Sequence, residues 1–348
     1  MNPARFLKRL MVFAGMIMAF NLVMNFLFQH NFNDRYHQKI SFVQHKKRGT
    51  YNTFFIGSSR TYRHVIPALF DSLTSASEQH HSFNLGSPAT FVPQTFYLLE
   101  ELLSDRFLPE DGPVTVFLEM MHPADFTMTN LFTQQSYYWC NWKNLSFLYT
   151  YQAAKSKSFM EKAEVISRSF TSGFLHHFGF NFLPSHAELD VNWLGPLRDG
   201  YLSLEEEQRS YHGKPNEMDQ RRKAFLADPD SLDKRAVNAR TAYRRQVISV
   251  KPGYSILLQK MQDLIQEAQL KNVRLIFLIP PRLGTPDYDE LLYIKSRLPE
   301  KNDIELGDPD KYPDFYNKEL SFDIGHLNAK GAALYTAALA NAYLERWP

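Results

Sequence analysis

Four short apolar runs, Thr53–Ile56, Ser82–Leu85, Val114–Met121 and Val273–Ile279, lie between glycines, prolines and asparagines. Runs of that length without alternation predict strands buried on both faces, the pattern of a parallel sheet. Between and after them, apolar positions recur at helical spacing over Thr95–Leu103, over Tyr254–Gln269 and over Ala329–Trp347. In the second of these, Leu257, Leu258, Met261, Leu264, Ile265 and Ala268 share one face, which is the stripe a core-facing helix needs. Strands alternating with helices predict an α/β fold, here a flavodoxin-like three-layer α/β/α arrangement around a mainly parallel sheet. From about 126 to 250 the rhythm breaks: aromatics come first (Tyr137, Tyr138, Trp139, Trp142, Phe147, Tyr149, Tyr151), then charge (Glu205–Arg209, Arg221–Lys223). This stretch is expected to be a helical insertion, serving either as a lid over the carboxyl ends of the strands or as plain packing.

The N-terminus follows a third pattern. Leu10–Phe28 contains nineteen residues without a charge, a helix of roughly 28 Å, close to the thickness of a bilayer's hydrocarbon core. Arg5, Lys8 and Arg9 precede it while Asn31, Asn33 and Asp34 follow, so the positive charge holds the N-terminus in the cytoplasm and the rest of the chain outside. A cleaved signal peptide is the rival reading, disfavoured by the length of the apolar stretch and the lack of an A-x-A-like site. A buried core helix fits less well, because the segment is apolar on every face apart from Asn21 and Asn25. The expected organisation is a cytoplasmic N-terminus and transmembrane helix over 1–30, a polar and basic juxtamembrane linker over 31–50, and one domain over 51–348 carrying the insertion.

Charge and cysteine content narrow the function classes. The 39 Lys and Arg against 37 Asp and Glu leave a formal charge of only +2, so no broad positive field points to nucleic acid. The lone Cys140 excludes an intramolecular disulfide and a cysteine-based zinc site. Twelve histidines, with His80-His81 and His176-His177 adjacent, raise a metal enzyme as a rival. Adjacent histidines rarely ligate one ion and no H-E-x-x-H occurs, so neither a metal nor another cofactor is expected.

Two motifs carry chemistry. Phe54-Phe55-Ile56-Gly57-Ser58-Ser59-Arg60 runs an apolar strand into a small-residue turn and a helix start, which would expose a hydroxyl at the sheet's carboxyl edge beside backbone N–H groups. Such turns are common, and Thr61 stands where a G-x-S-x-G elbow would have its last glycine. Asp323-Ile324-Gly325-His326-Leu327-Asn328 precedes the last helix. A carboxylate three residues before an imidazole can accept from Nδ1 and leave Nε2 to take a proton from a serine. The bland reading makes Asn328 a helix cap and His326 a surface residue.

Taken together, a serine turn after the first strand and Asp-x-x-His before the last helix resemble the block arrangement of the SGNH (GDSL-like) hydrolases. Gly57-Ser58-Ser59 is similar to that family's Gly-Asp-Ser block, and the resemblance implies Ser59 as nucleophile, with Ser58 the rival hydroxyl. Asn84-Leu85-Gly86-Ser87 resembles the second block, which implies an oxyanion hole from the Ser59 and Gly86 amides. Asp323 and His326 match the fifth block as orienter and base. The likeness covers roughly 51–125 and 272–348. The third block, Gly-x-Asn-Asp, is missing: the chain there reads Glu119-Met120-Met121-His122-Pro123-Ala124-Asp125, leaving His122 or a backbone amide to replace the asparagine. Arg60 is a candidate for binding an anionic substrate group. With the anchor, the departures resemble envelope acyl-handling members such as the DltD and alginate acetylation proteins. That likeness implies an extracytoplasmic esterase or O-acyltransferase, an acylated envelope polymer or glycan as substrate, and a membrane-bound O-acyltransferase as partner. The rival from another class is a catalytically weak or inactive polymer-binding scaffold.

Overall fold

The computed structural model describes residues 3–28, 35–104, 107–109, 112–123, 139, 141–155, 158–177, 192–212, 216–228, 230–245 and 251–347. The chain divides into two compact units, Met1–His37 with Asp125–Leu189, and Gln38–Ala124 with Asp190–Pro348.

The first unit is helical, with α1 at Pro3–Phe28; α2 (Arg35–Gln44) runs across the boundary into the second unit. On α1 the large apolar side chains Leu10, Met11, Val12, Phe13, Met16 and Phe20 are exposed. Among the described residues no helix is long and apolar enough to cross a membrane, so the expected span is not shown.

The second unit holds a five-stranded, all-parallel sheet: β1 (Thr53–Ile56), β2 (Ser82–Asn84), β3 (Val114–Glu119), β4 (Val273–Ile279) and β5 (Asp303–Glu305), in the order β2-β1-β3-β4-β5. This is the 2-1-3-4-5 order of doubly wound sheets, and the parallel register brings every carboxyl end to one edge. The runs expected at 82–85 and 114–121 end earlier, at Asn84 and Glu119. The polar stretch 31–50 is not all linker, because α2 occupies half of it.

After β1 come α3 (Ser59–His64) and α4 (Pro67–Thr74), and α5 (Gln94–Leu102) follows β2. Phe54, Phe55, Ile56 and Phe117 are fully buried, with Phe55 stacked on Phe117 at 4.9 Å between centroids. Each such side chain stabilises the fold by roughly 1.5–3 kcal/mol, so the turn after β1 leaves from a rigid base.

The insertion is helical as expected but splits between the units. Its first part forms α6 (Trp142–Lys155) and α7 (Phe159–His177) in the first unit. Trp139 is buried there, accepting from Asn144 Nδ2 at 2.9 Å, while Trp142 is exposed. Tyr137, Tyr138 and Cys140 lie outside the described residues. Its second part forms α8 (Leu204–Ser210), α9 (Glu217–Ala227) and α10 (Ser231–Arg244), which belong to the sheet unit. There α10 packs against α12 (Thr285–Lys295), which follows α11 (Pro252–Leu270) and β4; α13 (Ala329–Arg346) closes the unit against α3 and α4.

Candidate active site

At the sheet's carboxyl edge the chain must leave β1 and start α3 within two residues. Gly57 permits this because a Cβ there would collide with Thr61 Oγ1 and Glu119 Oε2. Glu119, the last residue of β3, is buried directly beneath the turn. Its carboxylate accepts from the Ser58 amide at 2.7 Å, from Ser58 Oγ at 2.8 Å and from Thr61 Oγ1 at 2.8 Å. Ser58 Oγ also caps α3 by accepting from the Arg60 amide at 3.2 Å. The Ser58 hydroxyl is therefore held downward as a structural group, and Ser59, half-buried, is the one left at the surface of the turn.

Ser59 Oγ stands 2.8 Å from His326 Nε2, and His326 Nδ1 lies 2.8 and 2.9 Å from the two oxygens of Asp323. Burial works to raise the Asp323 pKa, but the hydrogen bond and charge of His326 and the amides of Gly325 and His326 outweigh it and hold the group below its ordinary value. Asp323 is thus an acceptor, Nδ1 donates to it, and the neutral ring accepts from the Ser59 hydroxyl at Nε2. Burial also holds the His326 pKa below 6.5 against the opposing pull of Asp323, with Arg60 and Arg63 adding to the depression. Both expected triad partners and the serine are brought together across 267 positions of sequence.

A narrow hairpin carries Asp323 and His326. The Phe322 amide donates to His326 O at 3.0 Å, and Ser321 pairs with Leu327 in an antiparallel bridge. Asn328 does cap α13, accepting from the Gly331 amide at 2.9 Å, so cap and triad coexist. Beneath the hairpin lies Arg282, fully buried in a left-handed backbone conformation (φ 66°). It donates to Phe315 O at 2.5 Å, His326 O at 2.9 Å, Asp323 O at 3.3 Å and Ser321 Oγ at 2.7 Å. Burial pulls its pKa down to about 9. His64 supports the other side: Nε2 accepts from the Leu327 amide at 3.0 Å, so its ring is neutral, and burial first, then His326, keeps its pKa well below 6.5.

The amide of Gly86, the second expected oxyanion donor, is engaged within its own loop. The Gly86 amide donates to Asn84 Oδ1 at 2.8 Å, while Asn84 Nδ2 donates to Thr61 O and Val65 O at the end of α3. Gly86 is therefore engaged in holding α3, and its carbonyl accepts from the buried Lys39 Nζ at 2.6 Å. The Ser59 amide, first in the helix, has no intrahelical partner by position. His122 pairs through Nδ1 with Asp287 at 3.0 Å on the rim of a neighbouring cavity and is substantially exposed. Arg60 lines that same cavity of about 450 Å³, with Arg235, Asn238, Leu283, Gly284 and Asp287. Among the described residues no group of three or more His, Cys, Asp or Glu is placed to hold a metal ion.

No known protein-family model and no curated protein sequence matches the chain. Glu119, Arg282 and Arg235 were not among the residues singled out from sequence. Only Glu119 had a local signal, a charged residue within an otherwise apolar run.

Proposed function

We propose that this chain is a serine esterase or O-acyltransferase of the SGNH kind, acting on acyl groups of envelope polymers outside the cytoplasm. The observation that carries this reading is the unbroken series of hydrogen bonds from Ser59 through His326 to an ionised Asp323.

In this reading His326 Nε2 takes the Ser59 proton as Oγ attacks an ester carbonyl, and Asp323 stabilises the imidazolium that forms. The imidazolium then protonates the departing alkoxide, leaving an acyl ester on Ser59. Water or a sugar hydroxyl, deprotonated by the same nitrogen, attacks that ester to release an acid or a new ester and regenerate the serine. The Ser59 amide at the start of α3 is the oxyanion donor the turn supplies. Losing one donor of such a pair costs about 2.7–4 kcal/mol in transition-state stabilisation, so with Gly86 bound to Asn84 the enzyme is expected to be slow unless substrate binding frees that amide.

The membrane anchor in this reading rests on the sequence alone, on the uncharged stretch Leu10–Phe28 and the basic flank before it, which would stay in the cytoplasm. A membrane-bound O-acyltransferase is the partner this reading implies. The engaged Gly86 amide and the missing third-block asparagine favour a second reading, a polymer-binding scaffold with little chemistry.

Labelling with a fluorophosphonate probe separates the two. The esterase reading expects covalent labelling of the wild type that Ser59→Ala abolishes. Folded protein that stays unlabelled removes it and leaves the scaffold.

A further inference from the structure

The cavity beside the serine has walls from three parts of the sheet unit: Arg60 next to the nucleophile, Arg235 and Asn238 one turn apart on α10, and the segment from Leu283 to Asp287 after β4. Two guanidinium groups face one space. Arg60 has no hydrogen-bonded anion of its own. Its Nη1 lies 3.8 Å from Glu119, whose oxygens already accept from three closer donors, and its Nε is buried without a hydrogen-bond partner. Arg235 uses Nη1 on the Arg282 carbonyl at 2.5 Å, which fixes the side chain and leaves its other donors. Among the described lining residues the one carboxylate, Asp287, is occupied by His122 and by the Gly284 amide at 3.1 Å. Burial, followed by the charge of Arg60, lowers the Arg235 pKa against the opposing pull of Tyr288 and Asp323, as expected for two like charges lining one space.

From this arrangement we infer that the substrate carries an anionic oxygen group, a carboxylate or a phosphate, which Arg60 and Arg235 clamp inside this cavity beside Ser59, with Asn238 as a neutral donor. The inference rests on reading Ser59 as the acylated nucleophile. A guanidinium fork matches such groups in geometry as well as charge, and the volume suits a small polar unit. Because Arg60 follows the nucleophile directly, an anion held there fixes the distance from charge to scissile ester, which would select charged polymer units over neutral ones.

The test uses full-length Ser59→Ala protein in detergent, which cannot turn over. It is titrated calorimetrically at low salt with 4-nitrophenyl β-glucuronide, 4-nitrophenyl phosphate and the neutral 4-nitrophenyl β-glucoside. At least one anionic probe should bind about tenfold tighter than the glucoside, and which of the two does so identifies the carboxylate or phosphate source. Arg60→Gln and Arg235→Gln should each remove most of that preference, and raising salt should weaken it. Since Arg235 also supports the Arg282 carbonyl, Arg235→Lys is the control, expected to keep much of the preference because the charge remains. Equal binding of all three probes, no binding of any, or a preference that survives both glutamine substitutions overturns the inference. Fluorophosphonate labelling of the wild type reports the serine independently. Anion preference without labelling leaves the subsite and removes the esterase, whereas labelling without preference does the reverse.

Discussion

Replacing Glu119 tests the idea that a buried carboxylate sets the serine turn. Glu119→Ala removes the acceptor for three donors, the Ser58 amide at 2.7 Å and the Ser58 and Thr61 hydroxyls at 2.8 Å. A buried donor left without a partner costs about 1–3 kcal/mol, and water entering a polar gap recovers part of that. The three together come to roughly 3–5 kcal/mol, a large share of a domain's usual stability of about 5–15 kcal/mol. Glu119→Gln keeps the volume. Its amide oxygen can accept the Ser58 N–H, and its NH₂ must then donate to a hydroxyl that turns to accept, so only charge assistance is lost, about 1–2 kcal/mol. Chemical denaturation followed by circular dichroism should rank wild type, Gln and Ala in that order. Fluorophosphonate labelling should slow by about 100-fold in the Ala variant, as for a nucleophile displaced by about 1 Å. An Ala variant within about 1 kcal/mol of wild type that labels at the wild-type rate would refute the reasoning.

Ser58→Ala should keep labelling at Ser59 while losing about 1–2 kcal/mol of stability through the cap and the Glu119 bonds; loss of labelling with the fold intact would make Ser58 the nucleophile. Because burial lowers the His326 pKa, the base is neutral by neutral pH. Esterase kcat/KM should therefore rise with pH to a plateau with a midpoint below 6.5, and Asp323→Asn should lower kcat by about 10⁴-fold. His64 titrates in the same direction: its folded pKa lies well below the unfolded value of 6.5, so the unfolded chain takes up the proton first. Its contribution is complete above 6.5 and is lost as pH falls below it, by about 1.4 kcal/mol per pH unit. His64→Gln, whose side-chain oxygen can still accept from Leu327, should flatten the acid limb of a stability-versus-pH curve by that slope. An unchanged limb would show that His64 is not held neutral.

What the sequence made legible follows from how local each cause is. Val273–Ile279 was read to its exact ends and Thr53–Ile56 likewise, because strands buried on both faces need nothing beyond their own apolar run. β5 was missed: Asp303–Glu305 is three residues long with one apolar side chain, and it is a strand only because β4 offers it an open edge. Lys39 falls within the 31–50 stretch expected as a linker, yet three carbonyls, Asn84 O, Gly86 O and Gly200 O, surround its ammonium, and those partners lie up to 161 positions away. The contacts of Ser59, His326 and Asp323 were legible for the opposite reason. Asp323 and His326 sit on one loop at a spacing that itself encodes their hydrogen bond, and Ser59 is fixed by the turn its neighbours dictate. The supporting shell has no such spacing. Glu119 reaches back 61 positions to Ser58, and Arg282 forward 44 to His326, distances set by the crossovers of the sheet. The same logic applies to Gly86. Its position beside the turn was readable, but the direction of its N–H depends on Asn84, whose amide is turned by two carbonyls at the end of α3. Residue types at a site are thus written locally, whereas which donors remain free is decided by the packing around them.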